Sequence, residues 1–461
     1  MLKCCKKKIF SADTSLYKNG RRVRIGEIKK RALARGEYNG SDYLWTFAAK
    51  AGGNSNESTG VPNQFIRMKH YICISFAILI FCAGILHASE TLDSIRQQLV
   101  DKNATAETAA LFYNLKRLAA EGKTLVGAQD PDVTNSRLPE APTDIKAITG
   151  QELAVWGHDF MSIARSAPRG APNYDQIRRG AENQARISRE FTINAYNQGI
   201  VNTFCWHFRE PESQSFNARS LSDEKRDTFF RSLLPGGDYH EWYKEQLQIV
   251  ADFAKSVRGA DGTLAPIIFR PYHEFDGDWF WWGFRYCTPE EFIENWRFTV
   301  RYLRDELEVR NFLYCFSPDN RFNSEEQFLE RYPGDDYVDI IAMDNYSDFE
   351  NNRIEAAAKK LAIMSDYAIR SGKLAGGLTE VGHRGNPPPE DVYTAHYGRV
   401  HDDPELQAAM LIFWRGFRYG GVPAPDNSPW AENFLEFMSS PRMLLLPDVG
   451  NLYALPEFRQ R

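Results

Sequence analysis

Eight short apolar runs recur in the chain after residue 120, and the segments between them have room for a helix. The runs are Thr124 to Gln129, Leu153 to Trp156, Ile200 to Cys205, Ala265 to Phe269, Asn311 to Phe316, Val338 to Met343, Leu374 to Leu378 and Met410 to Phe413. Helical patterns lie beside them at Thr108 to Glu121, His240 to Val257, Pro289 to Glu306 and Ile354 to Ser371. Strands that alternate with helices are typical of a closed parallel barrel. We therefore predict an α/β chain with one (β/α)8 TIM barrel.

Polar residues follow every one of these runs. They are Gln129-Asp130, His158-Asp159, Trp206-His207, His273-Glu274, Asp319-Asn320, Asp344-Asn345-Tyr346, Thr379 to His383 and Trp414-Arg415. In barrels of this kind the carboxyl ends of all strands meet at one face, where active sites lie. We expect these side chains to surround one site at that mouth.

The most distinctive segment runs from Arg270 to Gly283, with the sequence Arg-Pro-Tyr-His-Glu-Phe-Asp-Gly-Asp-Trp-Phe-Trp-Trp-Gly. It follows an apolar run, so Glu274 is expected where a strand gives way to a loop. A carboxyl group there could donate a proton, and sugar rings stack on indoles. Trp281 and Trp282 are neighbours that cannot both face one cleft, so packing is favoured for them. The segment indicates carbohydrate chemistry.

Two glutamates are placed to act as a pair. Glu274 ends the fourth run and Glu380 ends the seventh, which brings them to facing sides of one barrel mouth. Retaining glycoside hydrolysis needs one protonated carboxyl group and one carboxylate about 5 to 5.5 Å apart. This pair predicts that reaction.

The combined motifs resemble glycoside hydrolase family 26, the β-mannanase family, over about residues 105 to 440. The resemblance rests on Leu125 to Asp130, Trp156 to Asp159, Arg270 to Glu274, Trp279 to Gly283, Asp344 to Tyr346, Thr379-Glu380 and Trp414-Arg415. Their order along the chain is that of the family. Ala128 departs from the pattern, since many relatives have His there, and it puts the contact of that His in doubt.

The resemblance implies a role for each matching residue. Glu274 would be the acid/base and Glu380 the nucleophile, with His273 beside the acid and Tyr346 hydrogen-bonded to Glu380. The residues that resemble those lining the sugar subsites are His158, Trp279, Trp414 and Arg415. From their place after the third run, Trp206 and His207 are further candidates for substrate contact. Internal hydrogen bonding is the alternative for the histidines.

The resemblance implies a cofactor-free enzyme that cleaves β-1,4-mannosidic bonds in mannan, glucomannan or galactomannan. Mixed-linkage β-glucan and β-1,3-xylan remain alternative substrates, and endo or exo action stays open. A metal-dependent hydrolase is a rival reading, because histidines gather at the mouth, but the chain has no His-x-His pair and no His-Glu-x-x-His helix. We expect no metal. A silent glycan-binding protein is disfavoured because both glutamates are present.

The first 88 residues differ from the rest. Residues 68 to 88 combine a basic start, an apolar run and a small final residue, as secretory signals do. Residues 1 to 67 are interpreted as an over-extended start or a disordered tail, and 89 to 461 as the barrel domain. We expect a secreted or periplasmic monomer or weak homodimer without a membrane span in its mature form.

Removing that segment makes the chain acidic. It holds 15 of the 56 Lys and Arg and 5 of the 61 Asp and Glu, which leaves 41 basic and 56 acidic residues and a net charge of −15. Nucleic-acid binding needs clustered basic residues, so it is disfavoured. Three widely spaced cysteines remain, Cys205, Cys287 and Cys315. We predict that they are buried free thiols.

Overall fold

The computed structural model describes residues 15–18, 21–24, 92–130, 144–165, 167, 170–384, 387–414, 421–423 and 428–456. The chain divides into two compact units, residues 1–81 and 82–461. In the first unit, strands β1 (Ser15–Lys18) and β2 (Arg21–Arg24) pair antiparallel. The predicted signal at 68 to 88 lies outside the described residues. Among the residues that are described, we find no helix with the length and apolarity needed to span a membrane.

The second unit is built on eight parallel strands. They are β3 (Thr124–Gln129), β4 (Val155–Asp159), β5 (Val201–Cys205), β6 (Ile267–Arg270), β7 (Phe312–Phe316), β8 (Ile340–Asp344), β9 (Leu374–Val381) and β10 (Met410–Phe413). Each pairs with the next in chain order, and β10 pairs with β3, which closes the barrel. A short strand, β11 (Met443–Leu444), adds to β3. The predicted (β/α)8 barrel is confirmed, with each predicted run overlapping its strand.

Helices lie between the strands and cover the barrel. They are α1 (Ala106–Ala120), α2 (Asp144–Thr149), α3 (Tyr174–Gln198), α4 (Asp223–Ser232), α5 (His240–Ser256), α6 (Pro289–Arg301), α7 (Glu325–Leu329), α8 (Ser347–Glu350), α9 (Ile354–Arg370), α10 (Pro429–Met438) and α11 (Leu446–Val449). Local chemistry places α6, because Thr288 and Glu291 form a reciprocal capping box and Pro289 occupies the first turn. The predicted helix from Pro289 to Glu306 changes to a π-helical turn at Tyr302–Glu306.

Side chains alternate between the two faces of each strand, which produces two apolar layers. One cluster joins strand residues such as Ile268, Leu313 and Ile340 to helix α1. The other joins residues such as Phe269 and Ile341 to the surrounding helices. Arg270 has the parity of Ile268, so this charged side chain enters the barrel interior at the carboxyl end of β6.

Candidate active site

Arg270 is the buried centre of the site at the carboxyl ends of β6, β8 and β9. Its side chain is 1% exposed, and Nη1 donates to Asp344 Oδ1 at 2.8 Å and to Ser317 Oγ at 2.9 Å. Nη2 donates to Oε1 of Glu380. A buried charge is tolerated when it is paired and hydrogen-bonded. The guanidinium therefore links the strand that precedes Glu274 to the strand that carries Glu380.

We expect Arg270→Met to destabilise the protein by about 3–5 kcal/mol, because it leaves buried Asp344 and Glu380 without their shared cation. Urea denaturation of the full chain measures this free energy of unfolding. Arg231→Met is the matched control, since the Arg231 guanidinium is largely exposed where it pairs with Glu291 and its removal should destabilise the protein much less. Equal losses in the two variants would contradict this account.

Glu274 is held in a tight loop directly after β6. Its φ of 53° lies in the left-handed region, as does the φ of 52° at Tyr272, and such values are rare for non-glycine residues. The loop is fastened by the Glu274 amide, which donates to the Ser317 carbonyl at 2.9 Å. Trp279 Nε1 donates to Glu274 Oε2 at 2.6 Å. Backbone strain and two hydrogen bonds thus set the direction of this carboxyl group.

The surroundings of Glu274 favour its protonated form. Burial raises its pKa well above the usual value, and the nearby negative charges of Asp319 and Glu380 raise it further. The indole N–H of Trp279 opposes this shift. A carboxyl group in such an environment keeps its proton and can deliver it to a bound molecule.

Glu380 is also buried, but hydrogen-bond donors face both of its oxygens. One of its oxygens accepts from Arg270, and the other accepts from the Tyr346 hydroxyl at 3.0 Å. Donors directed at both oxygens fix the orientation of this side chain. The predicted hydrogen bond between Tyr346 and Glu380 is confirmed.

The two glutamates face each other at close range. One carboxylate oxygen from each of Glu274, Asp344 and Glu380 lies within 4.8 Å of the others. This spacing fits the about 5 to 5.5 Å of retaining glycosidases better than the about 6.5 to 9.5 Å that leaves room for an attacking water. The geometry allows Glu380 to attack a carbon atom whose leaving oxygen is protonated by Glu274.

Two histidines line the other side of Glu380. His207 Nδ1 lies 2.7 Å from Asp159 Oδ2, and the His207 and His273 ring centroids are 4.6 Å apart. Burial lowers the pKa of His207, but the Asp159 carboxylate outweighs it and the pKa lies above the usual value. Burial lowers the pKa of His273 far below the usual value, and the positive charges of His207 and Arg270 add to that shift. His273 is therefore neutral, with Nε2 at 3.9 Å from Glu380 Oε1.

The two tryptophans predicted at the mouth lie on either side of this group. Trp279 is partly buried, and Arg321 covers its ring at 4.9 Å from the centroid. The ring of Trp414 is partly exposed and 5.7 Å from that of His207. Arg415 lies outside the described residues. Trp279 thus contacts the carboxyl group of Glu274, and Trp414 lies next to His207.

The structure does not bring His158 and Trp206 to the carboxyl groups. His158 Nε2 is 3.1 Å from Asn202 Oδ1 and its ring packs on Phe204, which is the internal hydrogen bonding weighed as the alternative. Trp206 is 1% exposed and stacks on Phe208 with ring centroids 4.0 Å apart. Both positions have the parity of Trp156 and Phe204, whose side chains pack in the outer apolar cluster between the strands and the helices.

Trp281 and Trp282 pack in the core, as expected. Both are fully buried, and their indole N–H groups donate to the carbonyls of Phe208 and His273 at 2.8 Å. The bond from Trp282 helps fix the backbone next to Glu274. The three predicted buried free thiols are confirmed at Cys205, Cys287 and Cys315.

Sequence reasoning assigned no role to Arg270 and Asp319. Arg270 was visible as a charge that ends the apolar strand Ile-Ile-Phe-Arg, and a buried charge requires partners. Asp319 follows β7 and is 6% exposed, and its charge is the largest single electrostatic influence on Glu274. Its position at a strand end was visible in the sequence, but its proximity to Glu274 could not be predicted from the sequence.

A closed parallel barrel with two opposed carboxyl groups at its carboxyl-terminal mouth defines the class of (β/α)8 glycosidases. The chain belongs to glycoside hydrolase family 26, whose sequence profile matches residues 100–381. This membership confirms the family that the motifs predicted.

Relatives and solved structures agree with this assignment. A mannan endo-1,4-beta-mannosidase from Bifidobacterium adolescentis is 34% identical over 293 residues, which are 62% of this chain and 28% of that protein. One from Bacillus subtilis is 24% identical, over 60% of this chain and 73% of that protein. The chain thus spans less than a third of the Bifidobacterium enzyme.

Among solved structures, GH26C from Muricauda sp. is 40% identical with a TM-score of 0.71, covering 78% of this chain and 97% of that one. An endo-beta-1,4-mannanase from Cellulomonas fimi is 31% identical with a TM-score of 0.67, over 77% of this chain and 79% of that one. Each likeness covers more than three quarters of this chain.

Proposed function

We propose that this chain is a retaining glycoside hydrolase that cleaves β-1,4-mannosidic linkages in mannan, glucomannan or galactomannan. The observation that carries the proposal is the close pair of Glu274, whose pKa is raised, and Glu380, whose two oxygens accept from Arg270 and Tyr346. The relatives named as mannan endo-1,4-beta-mannosidases support β-mannan as the substrate.

In the first step, Glu380 attacks the anomeric carbon while Glu274 transfers its proton to the leaving oxygen. The glycosidic bond breaks and a covalent glycosyl–enzyme ester forms. In the second step, Glu274 takes a proton from water, the water oxygen attacks the same carbon, and Glu380 is released. Two inversions restore the β configuration.

The charge on Glu380 also regulates the proton on Glu274. The Glu380 carboxylate contributes to the raised pKa of Glu274. Once Glu380 is esterified its charge is gone, so the pKa of Glu274 falls and Glu274 can act as a base. One pair of side chains thereby serves both steps.

We propose that Trp279, Trp414 and His207 contact the sugar rings around the scissile bond. Trp279 already bonds to Glu274, and Trp414 and His207 lie together on the side of Glu380. The ring of His273 packs against the ring of His207. The family resemblance adds Arg415 as a residue that binds the next sugar toward the non-reducing end, where its planar fork could engage two hydroxyls.

We expect Tyr346→Phe to lower kcat about 10- to 100-fold with little change in KM, because Glu380 loses a donor worth roughly 1–3 kcal/mol when its partner atom is left buried. Steady-state kinetics on mannohexaose separate the two parameters. Tyr332→Phe is the control, since its hydroxyl bonds to Asp335 away from the glutamates, and it should stay within about twofold. A fall confined to KM would argue against contact with the nucleophile.

The substrate proposal is tested by incubating the full chain with mannohexaose, mixed-linkage β-glucan oligosaccharides and β-1,3-xylan oligosaccharides, and following product sizes over time. Early mannotriose together with mannobiose would indicate an open, endo-acting cleft. Mannobiose alone from the start would indicate a cleft closed at one end. Cleavage of glucan or xylan with mannan untouched would overturn the substrate, and binding without any cleavage would overturn the activity.

We also propose that residues 68 to 88 direct secretion to the periplasm or the exterior and that the mature enzyme begins at Ser89. The apolar run and the small residue before Ser89 support this. N-terminal sequencing of the protein recovered outside the cytoplasm should begin at Ser89. A start within residues 1 to 67 would contradict it.

A further inference from the structure

Cys205, His207 and His273 form a compact group of three potential metal donors on one side of Glu380. All three are buried, and one donor atom of each lies within 4.8 Å of the other two. The proposed reaction uses no thiol, so it gives Cys205 no role.

The donor set suits a particular kind of cation. One thiolate and two imidazoles are characteristic ligands of Zn²⁺, with bonds of about 2.0–2.3 Å. Ligand atoms in such a tetrahedral site are about 3.5 Å apart, so a separation within 4.8 Å requires side-chain shifts on the order of 1 Å. Rotation about the χ angles of the three side chains can supply such a shift.

A second, independent feature points to a ligand at this place. His273 is fully buried, and neither of its ring nitrogens has a hydrogen-bond partner in the part of the chain that the structure describes. Buried polar atoms are nearly always satisfied. A cation bound to His273 would satisfy one of these nitrogens.

Asp159 completes the arrangement. Its carboxylate faces Nδ1 of His207 at 2.7 Å, as carboxylates do when they orient a metal-bound imidazole whose other nitrogen faces the ion. Asp159 also accepts from the His207 amide at 3.1 Å and the Met161 amide at 2.8 Å, so its position is fixed. Its negative charge favours a cation nearby.

We propose that Cys205, His207 and His273 bind one borderline-soft divalent cation such as Zn²⁺, and that the bound cation inhibits the enzyme. Binding releases the Cys205 thiol proton, and any proton on the coordinating nitrogens, to solvent as the metal bonds form. No redox partner is needed. The cation is an inhibitor and not a cofactor, because both proposed chemical steps proceed without it.

Inhibition follows from where the ion would sit. His273 Nε2 is 3.9 Å from Glu380 Oε1, so a dication bound at His273 lies next to the attacking carboxylate. Its charge attracts the carboxylate and lowers its capacity to attack carbon. Coordination also prevents His207 from contacting a sugar. The inhibition rests on the proposed function, whereas the binding does not.

The binding test uses Co²⁺, which replaces Zn²⁺ and absorbs in the near ultraviolet when it is bound to a thiolate. The full chain should show such a charge-transfer band. The difference in absorbance between the wild type and Cys205→Ser should saturate near one Co²⁺ per chain, and Zn²⁺ should displace the bound Co²⁺. Cys315→Ser is the matched control, since Cys315 is an equally buried thiol on β7, which β6 separates from β5, and it should keep the band. Thermal unfolding verifies that both variants fold.

The inhibition test compares the same proteins on mannohexaose. Zn²⁺ should inhibit the wild type and Cys315→Ser equally, and EDTA should reverse the inhibition. The same inhibition of Cys205→Ser should require at least about tenfold more Zn²⁺, because that variant lacks one ligand. Identical Co²⁺ bands in the wild type and Cys205→Ser would overturn the site. A band lost in Cys205→Ser without any inhibition by Zn²⁺ would keep the site and overturn its effect. Binding in a chain that hydrolyses no glycan would leave the site standing and sink the proposed function alone.

Discussion

Glu380→Ala is expected to lower kcat on mannohexaose by a factor on the order of 10⁴ or more, because the variant has no carboxylate to form the glycosyl–enzyme ester. The barrel should remain folded, since Arg270 keeps its bonds to Asp344 and Ser317. Turnover is measured with a preparation free of wild-type enzyme, and folding is measured by circular dichroism. Activity retained in such a preparation would sink the assignment of Glu380.

Azide provides a more specific test of the role of Glu380 in the same variant. The anion can enter the space left by the carboxylate and attack the anomeric carbon from that face, while Glu274 still protonates the leaving oxygen. The product should be the α-configured glycosyl azide, formed by a single inversion. Glu355→Ala is the control, because Glu355 forms an exposed ion pair with Arg399, and it should keep normal activity without forming an azide product.

Glu274→Gln is expected to lower kcat/KM on mannohexaose by about 10² to 10⁴, since the leaving sugar oxygen then lacks its proton donor. An aryl mannoside with a dinitrophenolate leaving group needs no proton in the first step. Its glycosylation rate should fall by less than about tenfold under the same assignment. Equal losses on both substrates would indicate that Glu274 has a structural role instead.

The pH dependence of activity tests whether Glu274 must be protonated for the first step. The pKa of Glu274 lies well above that of an ordinary glutamate, because burial and the charges of Asp319 and Glu380 disfavour its anion. Activity should therefore persist above the ordinary pKa of about 4.3 and decline as the pH passes the raised value. On mannohexaose this alkaline decline should be present in both the wild type and the surface control Glu294→Gln, and it should be absent from the glycosylation rate of both proteins on the dinitrophenyl substrate, which needs no proton donor.

The alternation of apolar runs with helical patterns was sufficient to predict the barrel and the end at which its site lies. The predicted strand boundaries were less accurate where polar side chains occur in residues whose backbone still pairs with a neighbouring strand. The seventh run was predicted to end at Leu378 because Thr379 and Glu380 are polar, yet β9 continues to Val381. Pairing of Asp344 with Glu380 extends the strand, since backbone hydrogen bonds do not depend on side-chain polarity.

The direction of Glu380 could not be read from the sequence. In a regular strand, Leu378 and Glu380 would face the same side. A register shift between their pairings with Met343 and Asp344 places Leu378 in the outer apolar layer and turns Glu380 toward Arg270. An irregularity of this kind depends on the neighbouring strand and leaves little trace in local composition.

The sequence by itself determined the class of fold, the order of the strands and the identity of the two glutamates. These follow from local periodicity and from residues that end consecutive strands, and both are properties of neighbours along the chain. Only the tertiary structure decided that Arg270 links Glu380 to Asp344, that Asp319 acts on Glu274, and that His158 and Trp206 face the helices. Each of these depends on distances between segments far apart in sequence, where electrostatic and packing forces act through space.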